Sequence, residues 1–366
     1  MKINCSREEL LKGLQLTQNV VATKSTLPVL SNLLIDTDKE KIRMIATDLE
    51  VGMRCTIKAE VIKPGGITLP ARKLSEVIRE APHSEIQLTE EGSRVTLKSG
   101  NYTAKLIGIP KDEYPALPEF KESSSFSIET GLMAEMIRKT IFSVSTDETR
   151  YVLCGIYFIC EKKRLKMVST DGRRLSYIEK GIEGGKIRER KVIIPTKAIN
   201  EVNKILTQSS GTLKVGIGDN QIGFKINDSI LLISRLIEGN YPNYEQVIPK
   251  NSEISLLINR EKLLNSTKRV AVLTSDKSSS IRYTLKGNSM IITATTQGLG
   301  EARDELPIEY DKEELTIAYN PNYIMDVLKN LESENIIIEL TNPLNPGIIK
   351  PDDNSNYLSV IMPMRI

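Results

Sequence analysis

The stretch Leu69-Pro70-Ala71-Arg72-Lys73 opens a predicted helix, and similar stretches open predicted helices at Ile194–Lys197 and Asn320–Tyr323. The three prolines of these stretches are 125 and 126 residues apart. The chain therefore repeats itself with a period of about 125 residues. This period is the length of a domain and far exceeds that of a solenoid unit.

Two further landmarks recur with the same period. A threonine ends an apolar strand in each repeat, and an apolar residue lies at the same place in the first helix of each repeat. The threonines are Thr47, Thr170 and Thr295, and the helix residues are Leu10, Met136 and Leu263. The sequence predicts three similar domains, at 1–121, 122–250 and 251–366, with polar linkers near the two boundaries.

Each repeat contains a strand, a helix and several strands, and then the same order again. In the first repeat the pattern predicts helices at Arg7–Val20 and Arg72–Glu80, and a long last strand at Tyr102–Ile109. Each domain is thus predicted to be a tandem of two halves. The predicted fold class is α+β, with six helices against antiparallel sheets.

The composition is that of a globular chain. It has 366 residues, 40% of them apolar, and no apolar run approaches the ~20 residues that span a bilayer. The N-terminus lacks the pattern of a signal peptide. Four cysteines lack paired spacing and are predicted to be buried, reduced residues of strand-like segments, namely Cys5, Cys55, Cys154 and Cys160. We expect a cytoplasmic protein without a membrane partner.

The charges nearly cancel, with 50 Lys and Arg against 47 Asp and Glu. This excludes tight wrapping of nucleic acid by bulk charge, but it permits a basic face. Basic residues recur in all six predicted helices, at Lys12, Arg72, Lys73, Arg79, Arg138, Lys139, Lys197, Lys204, Lys262, Lys268, Arg269 and Lys329. They form either solvated helix faces or one shared functional face.

No catalytic pattern is found. His83 is the single histidine and is expected in a surface loop, and the Gly216–Gly218 stretch is typical of a hairpin turn rather than of a dinucleotide site. Asp48, Asp171 and the Asp352–Asp353 pair are too scattered to suggest a metal site. The absence of tryptophan argues against base stacking. We expect a non-catalytic protein without a cofactor or metal.

Two segments are candidates for peptide binding. One is Ser169–Ser176, and the other is the C-terminal Tyr357–Ile366, with two methionines and a proline near its end. A core strand is expected over Leu358–Ile361, whereas Pro363 cannot continue a central strand ladder. Methionines make adaptable apolar surfaces for partners. Arg174 is expected either to orient a bound peptide or to be solvated.

These residues resemble those of one family over the whole chain. The matches are Thr26–Leu34, Thr170–Leu175, Glu238–Tyr244 and Met362–Arg365. The chain resembles the bacterial DNA sliding clamp, the beta subunit of DNA polymerase III. The resemblance implies three DNA-clamp domains that form half of a head-to-tail dimeric ring around duplex DNA, and a processivity function in replication.

The resemblance also implies the residues of three sites. Contacts to DNA of any sequence are implied for Lys24, Arg72, Lys73, Arg150, Tyr151 and Lys197. A partner-peptide pocket between the second and third domains is implied for Leu153, Thr170, Gly172, Arg173, Arg174, Leu175, Pro242, Val247, Asn320, Tyr323, Leu344, Val360, Met362, Pro363, Met364 and Arg365. The dimer interface is implied for Leu106 on one side and for Val272 and Leu273 on the other.

Three positions depart from the family pattern. Val152 stands where a second tyrosine can occur, Arg173 replaces a histidine of some members, and Ser278 replaces an aromatic residue.

The implied partners are the polymerase III alpha subunit, the clamp loader delta subunit, and other polymerases and repair proteins that carry short clamp-binding motifs. Two alternatives remain open at this point. They are a nucleic-acid-processing enzyme and a repeat scaffold that does not bind DNA.

Overall fold

The structure is a computed structural model that describes residues 1–22, 26–120, 125–182, 188–207, 209–275, 280–353 and 355–365. Six modules follow one another, each with the order strand, helix and three strands. The first contains β1 (Lys2–Ser6), α1 (Arg7–Thr17), β2 (Asn32–Asp38), β3 (Lys41–Thr47) and β4 (Val51–Lys58). The second contains β6 (Gly66–Pro70), α2 (Ala71–Arg79), β7 (Glu85–Glu91), β8 (Arg94–Ser99) and β9 (Tyr102–Ile107). Two short strands, β5 (Glu60–Lys63) and β10 (Ile109–Pro110), flank the second module.

The next two modules repeat the order. The third contains β11 (Ser125–Glu129), α3 (Thr130–Arg138), β12 (Gly155–Glu161), β13 (Arg164–Thr170) and β14 (Arg174–Gly181). The fourth contains β15 (Arg190–Pro195), α4 (Thr196–Leu206), β16 (Thr212–Ile217), β17 (Gln221–Ile226) and β18 (Ile230–Arg235).

The last two modules complete the chain. The fifth contains β19 (Ile254–Asn259), α5 (Arg260–Ala271), β20 (Ile281–Lys286), β21 (Ser289–Thr296) and β22 (Gly300–Pro307). The sixth contains β23 (Leu315–Tyr319), α6 (Pro321–Asn330), β24 (Asn335–Leu340), β25 (Gly347–Pro351) and β26 (Tyr357–Ile361). Over the described ranges this confirms the predicted α+β class, the tandem halves and the six helices.

The strands form four antiparallel sheets that belong to two compact units. The first unit holds a five-stranded sheet, β5-β1-β7-β8-β9, and a nine-stranded sheet, β10-β6-β2-β3-β4-β18-β17-β16-β11. The second unit holds an eight-stranded sheet, β15-β12-β13-β14-β26-β25-β24-β19, and a four-stranded sheet, β22-β21-β20-β23. The strands of the predicted middle domain are thus shared between the units, and the two boundaries between the three predicted domains stay a prediction.

The helix starts follow from the prolines that define the repeat. Pro70 and Pro195 end strands directly before α2 and α4, and Pro321 is the first residue of α6. A proline suits these places because its fixed φ angle fits a helix start and its missing N–H is not needed there. The landmark residues Leu10 and Met136 are fully buried in their helices. The sequence period thus marks true starts of modules.

Two predicted boundaries differ from the structure by more than one residue. Helix α1 ends at Thr17 rather than Val20, and the Thr17 hydroxyl donates back to the carbonyl of Gly13. The strand predicted at Tyr102–Ile109 is interrupted at Gly108, where a side chain would collide with the carbonyl oxygen of Thr68. At this close approach the chain leaves the five-stranded sheet after β9, and the next strand, β10, pairs with β6 in the nine-stranded sheet. None of the described helices is long and apolar enough to cross a bilayer.

Candidate functional site

A tight turn between β13 and β14 organises the candidate peptide site. The Asp171 carboxylate accepts the backbone N–H groups of Arg173 and Arg174, and the Thr170 hydroxyl accepts that of Gly172. Aspartate and threonine favour such turns because their short side chains bond to the backbone two or three residues further on. Gly172 adopts a φ of 86°, which is a conformation that glycine tolerates best.

Arg174 fixes this turn to α6. Its guanidinium pairs with Asp171 at 3.0 Å and with Asp326 at 2.6 Å, and it lies 4.5 Å from the ring centre of Tyr323. Only 11% of the side chain is exposed. The expectation of a solvated arginine is wrong, because two carboxylates and an aromatic ring replace water around the charge.

Leu175 and Val360 form the apolar floor of the site. They face each other where β14 pairs with β26, and both are buried in a cluster that includes Tyr244. The rings of Tyr157 and Tyr241 stack at 4.7 Å beside this cluster. Among the candidate residues predicted from the sequence these tyrosines are missing, although Tyr241 and Tyr244 lie in the quoted stretch Glu238–Tyr244.

The tyrosine hydroxyls of the floor stay neutral. Burial raises the pKa of Tyr244 to about 12, with the Glu245 charge as a further cause. Burial also raises the pKa of Tyr241 and of Tyr177, and the Tyr177 hydroxyl donates to Glu179. The floor therefore offers apolar ring surface with uncharged polar ends, which suits apolar side chains of a partner.

The C-terminal segment borders the floor and continues past the predicted strand. The core strand is confirmed as β26, and beyond it the N–H of Met362 donates to Arg173 and the N–H of Met364 donates to Ala318. Met362 and Arg365 are exposed, and Pro363 is half-buried. The segment is held by its backbone, so the Met362 side chain remains available at the surface.

The other candidates lie around this floor at different depths. Tyr323 contacts Arg174, and Asn320 caps α6 by accepting the N–H of Asn322. Pro242, Val247 and Leu344 are exposed, whereas Leu153 is buried and does not belong to the cluster around Leu175. The structure thus brings together Thr170 to Leu175, Tyr323, Val360 and Met362, and the membership of the other candidates stays a prediction.

The candidate DNA contacts on α2 and α4 lie in the first turn of each helix. Arg72 and Lys73 are exposed, and Lys73 pairs with Glu76 at 2.7 Å. Lys197 pairs with Asp48, a residue of the turn after β3. Two of these three cations therefore already have a carboxylate partner, which weakens their attraction for phosphate.

A second group of candidate DNA contacts lies in the short 3-10 helix Glu148–Leu153. Arg150 pairs with Asp147 at 3.1 Å and donates to the backbone carbonyl of Asp171. Hydrogen bonds from Thr149, supported by Arg150, lower the pKa of Asp147. Tyr151 is exposed beside the half-buried Val152. Lys24 lies outside the described residues.

One basic residue of the predicted helices is not available to a ligand. Lys139 follows α3, and its buried side chain pairs with Glu135 at 2.8 Å and lies over the ring of Tyr357. Both contacts of the Lys139 side chain lie within the second unit. A face shared by the other basic residues of the six helices stays a prediction.

The predicted dimer residues differ in exposure. Val272 is 75% exposed directly after α5, whereas Leu106 and Leu273 are half-buried. The Leu273 carbonyl accepts the hydroxyl of Thr296 in its own chain. Two further aliphatic residues are exposed, Ile107 in β9 and Leu299 before β22. Ser278 lies outside the described residues.

Among the described residues, the single histidine and the four cysteines lie in separate elements. His83 is exposed in a loop, which confirms its prediction, and Cys5, Cys55 and Cys160 are buried in strands. Cys154 is half-buried and caps a 3-10 helix, so its predicted strand position is wrong. Burial raises the pKa of the Cys5 and Cys55 thiols to about 11. Within the described ranges, no three His, Cys, Asp or Glu side chains lie close enough to hold a metal ion.

Three family models match the chain in sequence order. The models describe the DNA polymerase III beta subunit, and they match residues 1–118 with its N-terminal domain, 127–243 with its central domain and 245–365 with its C-terminal domain.

Full-length relatives and solved structures agree with these matches. The Beta sliding clamp of Escherichia coli (strain K12) is 32% identical and that of Chlamydia muridarum (strain MoPn / Nigg) is 31% identical, each over 100% of this chain and at least 99% of the relative. The DNA polymerase sliding clamp from Bacillus subtilis matches with a TM-score of 0.96 at 27% identity, over 100% of this chain and 99% of that one. A sliding clamp (DNA polymerase III subunit beta) from Bartonella birtlesii, bound to griselimycin, also reaches 0.96, at 30% identity over 100% of both chains.

Proposed function

The chain belongs to the family of DNA polymerase III beta subunits, the sliding clamps, and from this premise we propose that two copies join head to tail into a closed ring around duplex DNA. The chain has the sliding-clamp function of its family. In the proposed ring it acts as a processivity factor without a catalytic step.

The observation that carries the proposal is the pairing of the last strands of the modules. The last strand of module 1 (β4) pairs with that of module 4 (β18), and the last strand of module 3 (β14) pairs with that of module 6 (β26). Modules 1 and 3 thus each pair with the module three places further along. Module 5 ends in β22, and its partner by this rule is the second module of a following chain, which ends in β9.

Both strands are ready for such a pairing. Strands β9 and β22 lie at the outer edges of their sheets, with no further strand beside them in the described part of the chain. An open strand edge is a template for pairing with another chain. A contact between two different surfaces is head to tail, and it avoids an open filament only if it closes into a ring.

Exposed aliphatic side chains accompany these edges. Ile107, in β9, is 72% exposed, and Val272 and Leu299 are exposed in module 5. Leu106 and Leu273 complete the proposed interface from half-buried positions. Single exposed aliphatic residues are common, but their presence beside both open strands supports an interface there.

The test of closure is the mass in solution. Wild type should have twice the chain mass of 40.9 kDa by light scattering after gel filtration, and Val272→Asp should give a folded monomer. Leu257→Asp is the matched control, because Leu257 is another highly exposed aliphatic residue, at 63% against 75% for Val272, in β19 of a different sheet. A dimeric Val272→Asp protein, or a monomeric Leu257→Asp protein, would contradict the proposed interface.

We propose that Arg72, Lys73, Lys197, Arg150 and Tyr151 approach DNA. The pairing of Lys73 and Lys197 with carboxylates supports weak phosphate contacts, which let a ring slide because they contain no base-reading pattern. The triple change of Arg72, Lys73 and Lys197 to Ala should reduce retention on DNA about equally for all sequences. It should also lower the slope of log affinity against log salt by up to about 3.

Retention itself tests the topological link. A clamp loaded by its loader onto a nicked circular plasmid should stay bound and should be lost when the plasmid is linearised. Equal retention on circular and linear DNA would exclude the ring, and a preference for one sequence would exclude the proposed DNA contacts.

The site around Leu175, Val360 and Met362 is proposed to bind short apolar motifs of partners. These partners are the polymerase III alpha subunit, the clamp loader delta subunit, and other polymerases and repair proteins. The buried apolar floor and the exposed Met362 support such anchoring, since a few buried anchors carry most of an interface.

A further inference from the structure

We propose that the first unit carries a second peptide-binding groove, where β4 pairs with β18. It takes a short extended peptide with one aliphatic side chain flanked by an acidic and a basic residue. The inference rests on the proposed function of the site around Leu175, because the groove is the internal counterpart of that site in the module repeat.

The turn after β3 has the same hydrogen bonds as the turn after β13. Thr47 accepts the N–H of Leu49 at 3.0 Å, as Thr170 accepts that of Gly172 at 3.0 Å. Asp48 accepts the N–H groups of Glu50 and Val51, as Asp171 accepts those of the corresponding residues. The two turns are therefore equivalent residue by residue.

The strand pairing beside each turn is equivalent as well. Gly52 faces Ile233 across the pairing of β4 with β18, as Leu175 faces Val360 across that of β14 with β26. The N–H of Arg235 donates to Glu50 at 2.8 Å, as the N–H of Met362 donates to Arg173 at 2.9 Å. Arg235 thus takes the place of Met362, and Glu50 that of Arg173.

A cavity of about 250 Å³ lies at this place in the first unit. The apolar lining includes Leu49, Ile233 and the segment Pro115–Pro118 after the second module, which contains Leu117. Gly52 makes this possible, because a side chain there would collide with Leu117. The volume exceeds the ~150 Å³ that holds one benzene-sized group, so it admits an aliphatic side chain of a partner.

Leu49 is the residue that points most directly to a ligand. It is 46% exposed and has a φ of 76°, whereas glycine occupies the equivalent place in the other turn. A leucine with positive φ is strained, and such strain gathers at functional sites. A strained, exposed leucine at the groove supplies apolar contact that glycine could not.

The charges at the groove determine which peptide it binds. Glu50 and Arg235 both line the cavity and are exposed. In the part of the chain that the structure describes, neither pairs with an opposite charge. The groove therefore presents one carboxylate and one guanidinium, while Asn220 and Gln221 offer amides to a peptide backbone.

The probes are three synthetic hexapeptides with a central leucine. The first has Lys before the leucine and Asp after it. The second has Asp before the leucine and Lys after it. The third, which is uncharged at these positions, has Gln before the leucine and Asn after it. Each is titrated into full-length protein while methyl NMR signals of Leu49, Leu117 and Ile233 report the groove. The methyl signals of Leu175 and Val360 report the other site in the same spectra.

One of the two charged peptides should shift the Leu49 and Ile233 signals saturably and bind about tenfold more tightly than the uncharged one. Exchanging the charges, by Glu50→Arg with Arg235→Glu, should make the opposite charged peptide the tighter ligand at unchanged net charge. Leu49→Gly should weaken binding and should fold at least as well as wild type, because glycine relieves the positive φ.

The outcomes separate the two proposals. Shifts confined to Leu175 and Val360 would overturn the second groove and leave the proposed partner site intact. Saturable shifts of Leu49 and Ile233 without any effect of a polymerase-tail peptide on Leu175 would support the groove and overturn the partner site. No saturable shift of the groove signals with any hexapeptide, or equal affinity of all three, would overturn the inference.

Discussion

Replacing Arg174 tests the tie between the β13–β14 turn and α6. Arg174→Ala removes two short ion pairs, with Asp171 and Asp326, and a ring contact at 4.5 Å with Tyr323. A hydrogen bond to a charged group contributes about 1.5–3 kcal/mol, and a contact of this kind with a ring adds about 0.5–1 kcal/mol. Both carboxylates keep some access to water, which limits the loss. We expect a decrease of about 3 kcal/mol in the free energy of unfolding.

The measurement is urea unfolding followed by circular dichroism. Arg164→Ala is the matched control, because Arg164 pairs with Glu179 at 3.2 Å while 64% of its side chain is exposed. Such a surface pair contributes at most about 1 kcal/mol. Arg174→Lys should recover only part of the loss, because lysine lacks the planar fork that reaches two carboxylates.

A double-mutant cycle isolates one of the two pairs. Arg174→Ala combined with Asp326→Ala should show a coupling of about 1–2 kcal/mol. The binding of a labelled polymerase-tail peptide should weaken as well, since the turn borders the floor of the site. The reasoning fails if Arg174→Ala costs no more stability than Arg164→Ala, or if the coupling with Asp326 is zero.

Three further predictions concern the same unit. Deleting Met362–Ile366 should leave the protein dimeric and reduce its affinity for a labelled polymerase-tail peptide at least about tenfold by titration. An unchanged affinity would locate the peptide elsewhere. Gly172→Ala should cost about 1 kcal/mol in urea unfolding because of its φ of 86°, and a neutral effect would contradict the strain argument. Burial tends to raise the pKa of Glu135, but hydrogen bonds from Lys139 and Lys180 lower it below its ordinary 4.5. The stability from these pairs is therefore present above pH 4.5 and lost below it, and Glu135→Gln should flatten the fall in melting temperature between pH 5 and pH 3. An equal fall in both proteins would refute this.

The period of the sequence predicted the module order well because local signals determine it. The prolines at the starts of α2, α4 and α6 and the buried landmarks Leu10 and Met136 act within a few residues of their own helices. The break of the strand at Gly108 could not be predicted, since it depends on the distant Thr68. Strand pairing across modules likewise depends on contacts far apart in the chain.

Only the local part of the candidate site could be predicted, because local signals determine it while distant contacts determine the rest. The turn at Thr170–Leu175 is local, and its residue types determine its hydrogen bonds. The role of Arg174 could not be derived, because its partner Asp326 lies 152 residues away. The same holds for Lys139, whose contact with the ring of Tyr357 depends on the last module. Resemblance supplied the list of positions, whereas the geometry decides which of them act together.

The pairing of last strands has a consequence for how a ring opens. The two junctions inside the chain each align five residue pairs, and the proposed junction between chains repeats the same kind of contact. A broken internal junction re-forms quickly, because the chain keeps its two strands at an effective concentration of about millimolar. The strands of a broken junction between chains lack this tether and can separate. In the proposed ring, a gate through which DNA enters therefore needs no special hinge, because the junction between chains is where the polypeptide is discontinuous.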